Sequence, residues 1–285
     1  MRIDLQLHST YSDGYLTPTE LVQFISKQGV KIAALTDHNT VGGLDEFKKT
    51  CCQYNIKPII GLELYVKFKN HKFNLLWYNF DDINSELHKI LRNSQIRKKG
   101  RARKILEKLL EQGFKIDINK ILDKYTHYLP INHLTDDFWM NNKIRIRKEL
   151  ENKNPRENDI INEYFCNKDI GILRESYISM ERIIKLRKKI GGQLILCHPA
   201  KYSYIRKEFW ETLKKIGLDG IEILSPHHSI NAIMYIQYLA REFDFITTGS
   251  SDFHRHEGNN YTIQNSWQYF KIDSKYLRKI GKITA

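Results

Sequence analysis

The sequence predicts an α/β fold: a barrel-like domain interrupted by a mostly helical insertion. Short apolar runs alternate with amphipathic stretches over residues 1–82, and the same rhythm returns from Ser179 onward. Between them lies a stretch that is basic and helical in character. Alternating strands and helices are typical of a parallel sheet covered by helices. The length of 285 residues suits one such domain with a sizeable insertion.

The first part of the predicted barrel contains four strands and two helices. The predicted strands are RIDLQL, KIAALTDH, KPIIGLELYV and KFNLLWYNF. The first helix, TPTELVQFISKQG, has Thr17 as N-cap, Pro18 in its first turn, Glu20 at the third position and Gly29 as its stop. The stretch DEFKKTCCQYN is the second helix.

The character of the chain changes at Ile83. Residues 83–126 are strongly helical and basic, whereas 127–178 lack clear strand periodicity. After Ser179, three helices (SMERIIKLRKKIGG, FWETLKKIGLDG, SINAIMYIQYLAREFD) alternate with the strands QLILCHP, IEILSP and FITTGSSDFH, the last of the barrel. We therefore assign the barrel to 1–82 and 179–285, and the insertion to 83–178. We expect the insertion to cover the active-site face.

The composition is that of a soluble globular protein, with 41% hydrophobic and 28% charged residues. There is no run of 18 apolar residues and no signal-peptide pattern, so we expect a cytoplasmic protein without membrane contact. The four cysteines have no CxxC spacing, which favours reduced core cysteines. Nothing in the sequence indicates an obligate protein partner.

The chain is basic, with a formal net charge of +13. Such a balance favours a polyanionic partner, here a phosphorylated substrate, either a nucleotide or a short nucleic acid. The densest blocks, RKKGRARK (97–104) and KIRIRK (143–148), both lie in the insertion and would steer an anion. The alternative is a compositional bias toward lysine, with solvated helix faces and no ligand.

Histidine, aspartate or glutamate residues, which are common metal ligands, follow six predicted strands. This pattern is the strongest indication of function in the sequence. They are His8 with Asp13, Asp37 with His38, Glu63, His198, Glu222, and Asp252 with His254. In an α/β barrel the carboxyl ends of the strands meet on one face, so these side chains should converge. Burying so many ionisable groups needs a counter-charge, which divalent cations supply. Mixed histidine and carboxylate ligands suit Zn, Mn or Fe rather than Ca.

Six stretches, in this order, resemble the motifs of the PHP (polymerase and histidinol phosphatase) family. They are HSTYSDG, LTDHNT, GLELY, LCHPAKY, IEILSPHHS and TTGSSDFH. The resemblance implies a distorted seven-stranded (β/α) barrel with two to three divalent metal ions that hydrolyses phosphate esters.

The resemblance also implies ligands for each ion. Those for the first ion are His8, Glu63 and Asp252, and those for the second are Asp13, His38 and His254. Those for the third are Glu63 and His198. Asp252 or His227 would act as the acid that protonates the leaving group.

Two positions depart from the family pattern. The opening motif, usually His-x-His, reads Gln6-x-His8, and Asn74 stands where the third ion normally has a histidine. An amide oxygen is a weaker ligand than imidazole for a transition metal, so we expect the first and third ions to bind more weakly. His71 is an alternative ligand close to Asn74.

Substrate contacts are less clearly indicated. His133 falls in a loop where the family has an Arg-Pro-His stretch that holds the phosphate, but the two preceding residues are Ile131 and Asn132. The other candidates for binding the phosphate are Arg174, Lys201 and His228.

The sequence thus predicts a phosphoesterase that cleaves a nucleotide or oligonucleotide ester with a metal-activated hydroxide. The alternative, prompted by Gln6 and Asn74, is a degenerate barrel that binds a phosphorylated ligand or nucleic acid without turnover. A histidinol-phosphate phosphatase is a third possibility, for which no residue selects.

Overall fold

The computed structural model describes residues 1–202, 206–255 and 271–285. These residues form two compact units: a barrel unit, Met1–Lys89 with Tyr177–Ala285, and an insertion unit, Ile90–Ser176. The strands are β1 Arg2–Leu7, β2 Ile32–Leu35, β3 Lys57–Phe68, β4 His71–Tyr78, β5 Cys166–Asn167, β6 Gly171–Ile172, β7 Ile178–Ser179, β8 Gln193–Leu196, β9 Gly220–Leu224, β10 Ile246–Gly249 and β11 Ile272–Asp273. The α-helices are α1 Pro18–Lys27, α2 Leu44–Gln53, α3 Ser85–Glu111, α4 Ile118–Lys124, α5 Ile131–Glu149, α6 Glu157–Ile160, α7 Met180–Ile190, α8 Lys207–Ile216, α9 Ile230–Glu242 and α10 Gly281–Thr284.

The sheet of the barrel unit runs in the order β10-β9-β8-β4-β3-β2-β1-β11, with β7 paired to β3. Neighbours β1, β2 and β3 are parallel, as are β8, β9 and β10. Strand β4 is antiparallel to both β3 and β8. The predicted parallel order fails there because β3 turns directly into β4 through Lys69 and Asn70, with no crossover helix.

The sheet curls until its two ends nearly meet, which confirms the predicted barrel. The His8 N–H donates to the Phe253 carbonyl at 3.0 Å, and Leu7 forms a parallel bridge with the same residue. On its outer side β1 also pairs antiparallel with β11, at Arg2–Asp273 and Ile3–Ile272. Thus β10 is not the last strand of the sheet as predicted, because a two-residue strand carries no detectable periodicity.

Strand β1 shows how the sequence builds a polar barrel interior. Residues two apart share one face of a strand. Leu7, on one face, packs with Leu21 and Val22 of α1. Gln6 precedes Leu7 and lies on the opposite face of β1, and His8 directly follows the end of the strand. Both side chains are fully buried and contact the Glu63 carboxylate of β3. The alternation therefore separates an apolar layer under the helices from a polar centre.

Helix caps in the barrel unit agree with the sequence signals. The Thr17 hydroxyl accepts from the Glu20 N–H while the Glu20 carboxylate accepts from the Thr17 N–H, which is the predicted capping box. Ser179 and Ser229 cap α7 and α9 in the simpler one-way form.

The insertion unit contains the remaining helices and a small hairpin, β5–β6, around its own apolar core. Phe138 lies at its centre, with ring centroids of Phe114 and Phe165 at 5.1 and 5.5 Å. Lys98, from the block RKKGRARK, is buried beside Glu175 and donates to the Tyr128 hydroxyl at 2.7 Å. At least one positive charge of this block is therefore paired inside the insertion unit and is not presented to an anionic ligand.

All four cysteines are free thiols. Cys51 and Cys197 are buried, but Cys52 and Cys166 are exposed, so the prediction of core cysteines is wrong for these two. Within the described ranges, none of the helices is both long and apolar enough to cross a bilayer.

Candidate metal centre

Four side chains converge at the end of the barrel, and we call them the four-residue group. They are His8, Asp13, His38 and His254. One carboxylate lies at their centre: Asp13 Oδ2 is 3.5 Å from His38 Nε2 and 3.4 Å from His254 Nε2, while Asp13 Oδ1 is 3.4 Å from His8 Nδ1. The residues come from the segments that follow β1, β2 and β10, so the sheet order itself brings them together.

The loop that carries Asp13 is fixed by a second acid, Asp37. Its carboxylate accepts from the Ser9 N–H at 2.7 Å, and from the Ser9 and Ser12 hydroxyls at 2.6 Å each. Burial raises the pKa of Asp37 although the two serines oppose that shift. Asp37, which the sequence placed among the strand-end acids, therefore anchors the loop and is not one of the four.

Glu63 lies at the centre of two further groups of possible ligands, one with Cys197 and His198 and one with His8 and Asp252. Its Oε1 is 3.4 Å from His198 Nε2, and its Oε2 is 3.2 Å from His8 Nε2. The sequence placed Glu63 at a strand end, but it lies in the middle of β3. Since β3 continues past the barrel rim as a hairpin with β4, the expectation about its position was wrong.

The centre has a strong preference for positive charge. Burial would raise the pKa of Glu63, but His38, His198 and His8 outweigh it and hold that pKa well below its usual range. In the same way, burial would raise the pKa of Asp252, but contacts with His227, His254 and His8 hold it well below its usual range.

Two of the histidines, His8 and His254, respond in the opposite sense. Burial would lower the pKa of His8, yet Asp252 and Glu63 raise it well above its usual value. Asp13 likewise raises the pKa of His254 against the effect of burial. Protons and divalent cations therefore compete for the same nitrogens.

The donor set fits a divalent ion. Both ring nitrogens of the fully buried His8 lack a hydrogen bond of acceptable geometry, although carboxylates surround them. Ligands about 2.0–2.1 Å from a tetrahedral ion lie roughly 3.3 Å apart. The 3.4–3.5 Å spacings around Asp13 match that value and exceed ordinary hydrogen-bond lengths.

One tautomer is fixed by the backbone. His254 Nδ1 lies 2.7 Å from the Asp252 carbonyl and donates to it, which leaves the Nε2 lone pair facing Asp13. Asp252 holds a positive φ of 50° and His198 one of 25°, conformations that residues with a Cβ rarely adopt. Such strain is concentrated at functional sites.

The two departures from the family pattern also lie at this centre. Gln6 Nε2 donates to Glu63 Oε2 at 2.7 Å and to Asp252 Oδ1 at 2.8 Å. Asn74 Nδ2 donates to Glu63 Oε1 at 2.6 Å. The alternative ligand, His71, is an odd number of positions from Asn74, so it points to the other face of β4, where its ring meets Phe209 at 5.0 Å.

A polar rim borders the centre. His227 Nε2 lies 2.8 Å from Asp252 Oδ2 and 3.4 Å from Lys201 Nζ. His228 Nδ1 donates to the Ile223 carbonyl at 2.9 Å, so this ring is tied to the fold. Lys201 and His227 are the predicted rim residues with exposed, charge-bearing ends.

Other predicted residues belong to the insertion unit or are not among the possible ligands. Arg174 and His133 belong to the insertion unit, and His133 is in the first turn of α5, not in a loop as expected. Their proposed contacts with substrate stay predictions. Glu222 lies behind Glu63, where it accepts from the His198 N–H at 2.8 Å, and burial raises its pKa to about 8.

Sequence reasoning missed Cys197 and Tyr202. The Cys197 thiol lies 3.5 Å from Glu63 Oε1, and the Tyr202 hydroxyl lies 3.3 Å from His198 Nδ1 and accepts from the Asn74 N–H at 2.7 Å. Both belong to the motif LCHPAKY itself, so their proximity to His198 in the sequence was the available signal.

Comparison with known proteins identifies the class. The PHP domain model matches residues 4–223. The chain therefore belongs to the PHP domain family, as its motifs predicted.

Several characterised relatives match most of the chain. A 5′-3′ exoribonuclease of Haemophilus influenzae is 26% identical over 257 residues, covering 89% of this chain and 90% of its own. A 3′,5′-nucleoside bisphosphate phosphatase of Chromobacterium violaceum is 25% identical over 265 residues, covering 88% and 87%. Among solved structures, a Bifidobacterium adolescentis protein described as a metal-dependent phosphoesterase has a TM-score of 0.76 at 20% identity, covering 98% of each chain. This last likeness confirms the fold.

Proposed function

We propose that this protein is a hydrolase that uses a divalent metal to cleave phosphate esters of nucleotides or oligonucleotides. The observation that carries the proposal is the convergence of one carboxylate and three imidazoles in the four-residue group, at ligand-like spacings. Relatives named as an exoribonuclease and a nucleoside bisphosphate phosphatase support the reaction class.

The four-residue group would hold the ion. Imidazole and carboxylate ligands suit Zn, Mn or Fe. When bound, such an ion activates water near neutral pH and stabilises negative charge on phosphoryl oxygens. Asp37 contributes by holding the Ser9–Ser12 segment in place, and the Asp252 carbonyl contributes by fixing the His254 tautomer.

The residues of the rim would handle the leaving group and the phosphate. We assign proton donation to the leaving oxygen to His227, because its side chain is 34% exposed and its Nε2 contact with the Asp252 carboxylate would stabilise the imidazolium form. Asp252 itself is a poor acid because its pKa is held well below its usual range by contacts that outweigh burial. Lys201, beside His227, would bind a phosphate oxygen.

The experiment that tests this function is a hydrolysis assay with Mn²⁺. The substrates are a 5′-phosphorylated short RNA, a nucleoside 3′,5′-bisphosphate and a chromogenic phosphodiester. We expect turnover of at least one nucleic-acid substrate, and its loss by roughly 10³-fold in His38→Ala and in Asp252→Asn. His88→Ala, in an exposed part of α3, is the matched control and should keep full activity. Turnover that survives in both site variants would disprove the assignment.

The alternative is a barrel that binds a phosphorylated ligand without turnover. The hydrogen bonds from Gln6 and Asn74 to Glu63 favour it, since both amides stand where the family motif has a histidine ligand. Retained metal and submicromolar binding of 5′-phosphorylated RNA, with no product from any ester, would establish this second function.

A further inference from the structure

The amide nitrogen of Gln6 points toward the carboxylates of Glu63 and Asp252, and the contacts of its amide oxygen explain this orientation. Gln6 Oε1 lies 3.4 Å from the Cys197 thiol, which donates to it, and 3.2 Å from the Ser250 hydroxyl, which also contacts Glu222. Its Nε2 has both hydrogens directed at carboxylate oxygens. Donors on one side and acceptors on the other fix the orientation of an amide. In this orientation Gln6 offers no lone pair to a cation at Glu63 and Asp252.

Asn74 repeats the arrangement on the other oxygen of Glu63. Its Nδ2 donates to Glu63 Oε1 at 2.6 Å, so each oxygen of this fully buried carboxylate has one amide donor. The backbone N–H of Asn74 is separately engaged with the Tyr202 hydroxyl. The position on β4 where the family motif has a histidine therefore supplies hydrogens to Glu63 in place of a lone pair to a cation.

Distances separate the two kinds of contact. The imidazole–carboxylate spacings are 3.4–3.5 Å around Asp13, and 3.2 and 3.4 Å from Glu63 to His8 and His198, the size expected between ligands of one ion. The amide–carboxylate spacings at Glu63 and Asp252 are 2.6–2.8 Å, the size expected for charge-assisted hydrogen bonds. The amide hydrogens lie where a cation between Glu63 and Asp252 would be, and they would repel it.

We infer that the Gln6 and Asn74 amides take the places of two cations, so that the chain holds a single divalent ion in its four-residue group. This inference rests on the proposed metal-dependent function. It reduces the two to three ions expected from the family motifs to one, because the neutral amides satisfy Glu63 and Asp252 without an ion.

The test is metal stoichiometry, which does not depend on activity. The wild-type chain is titrated with Co²⁺, whose visible absorbance reports each filled site, and zinc content is measured by elemental analysis after gel filtration. We expect an end point of about one ion per chain. Gln6→His and Asn74→His should each raise it to about two, and the double variant to about three.

Matched controls are Gln53→His and Asn70→His, which place imidazoles at exposed positions in the same unit and should leave the end point unchanged. If Gln6→His does not fold, Asn74→His alone decides the matter. A wild-type end point of two or three ions, or histidine variants that stay at one, would overturn the inference.

The result is separable from the proposed function. One ion with no hydrolysis of any ester would leave this inference standing and favour the binding alternative. Three ions with rapid hydrolysis would overturn this inference and support the proposed function.

Discussion

Asp4 and Ser251 join the first strand of the barrel to the segment after β10. The Asp4 carboxylate accepts from the Ser251 N–H at 3.0 Å and from its hydroxyl at 2.6 Å. Ser251 precedes Asp252, so the contact also positions a residue of the metal centre. Asp4 is buried, and burial raises its pKa to about 6 in spite of the hydrogen bonds from Ser251.

We expect Asp4→Asn to change how stability depends on pH. The folded pKa of about 6 exceeds the unfolded value of 3.8, so the folded state binds the extra proton between them. The contribution of Asp4 to stability should therefore be greatest below pH 4 and fall as pH rises through 6, by roughly 3 kcal/mol. Asn does not titrate, so the variant lacks this fall.

Urea unfolding in the presence of a chelator, at pH 4 and pH 7.5, measures the effect. The variant should be less stable than wild type at pH 4, with the difference shrinking or reversing at pH 7.5. Asp45→Asn, at a side chain that is 93% exposed, is the control. Parallel curves for Asp4→Asn and wild type would contradict the prediction.

Gly14→Ala should damage the loop that carries Asp13. A methyl group on Gly14 would lie 2.3 Å from the His8 carbonyl oxygen and 2.6 Å from the Ser9 nitrogen, closer than real contacts allow. We expect a loss of about 1–3 kcal/mol in the free energy of unfolding, together with weaker metal binding. Gly100→Ala meets no atom within 4 Å and serves as the control. Equal metal affinity in Gly14→Ala and wild type would show that the loop tolerates the methyl group.

His227→Gln should discriminate between leaving groups. His227 donates the proton that an alkoxide leaving group needs, whereas nitrophenolate leaves without one. We expect the rate on RNA or a nucleotide ester to fall by roughly 10²-fold or more, and the rate on a nitrophenyl ester by less than about tenfold. Parallel steady-state measurements of kcat on both substrates give the comparison. Equal losses on the two would assign His227 to substrate binding instead.

Removal of metal should lower thermal stability, and more at neutral than at acidic pH. An ion present at 100 times its Kd stabilises the folded state by about 2.7 kcal/mol. The raised pKa values of His8 and His254, which carboxylates sustain against burial, mean that protons displace the ion as pH falls. Melting curves with and without chelator at pH 7.5 and pH 5.5 would show the difference shrink. The His254→Gln variant should show no metal-dependent increase in melting temperature at either pH.

Much of the barrel could be predicted from local signals. The capping box at Thr17 and Glu20, and the serine caps of α7 and α9, involve residues three positions apart and need no tertiary information. The strands β1 and β8 have apolar patterns that are visible in the sequence. The direction of β4 and the existence of β11 were not predictable, because both depend on pairing with distant strands.

The amino-acid sequence by itself determined which chemical groups reach the metal centre. The position of each histidine and acid relative to a strand sets the end of the barrel at which it emerges, and that is a local property. Only the tertiary structure decided what Gln6, Asn74, Asp37 and Cys197 do there. The physical reason is that a side chain becomes a donor, an acceptor or a ligand through its partners, and these partners lie up to 246 residues away in the chain.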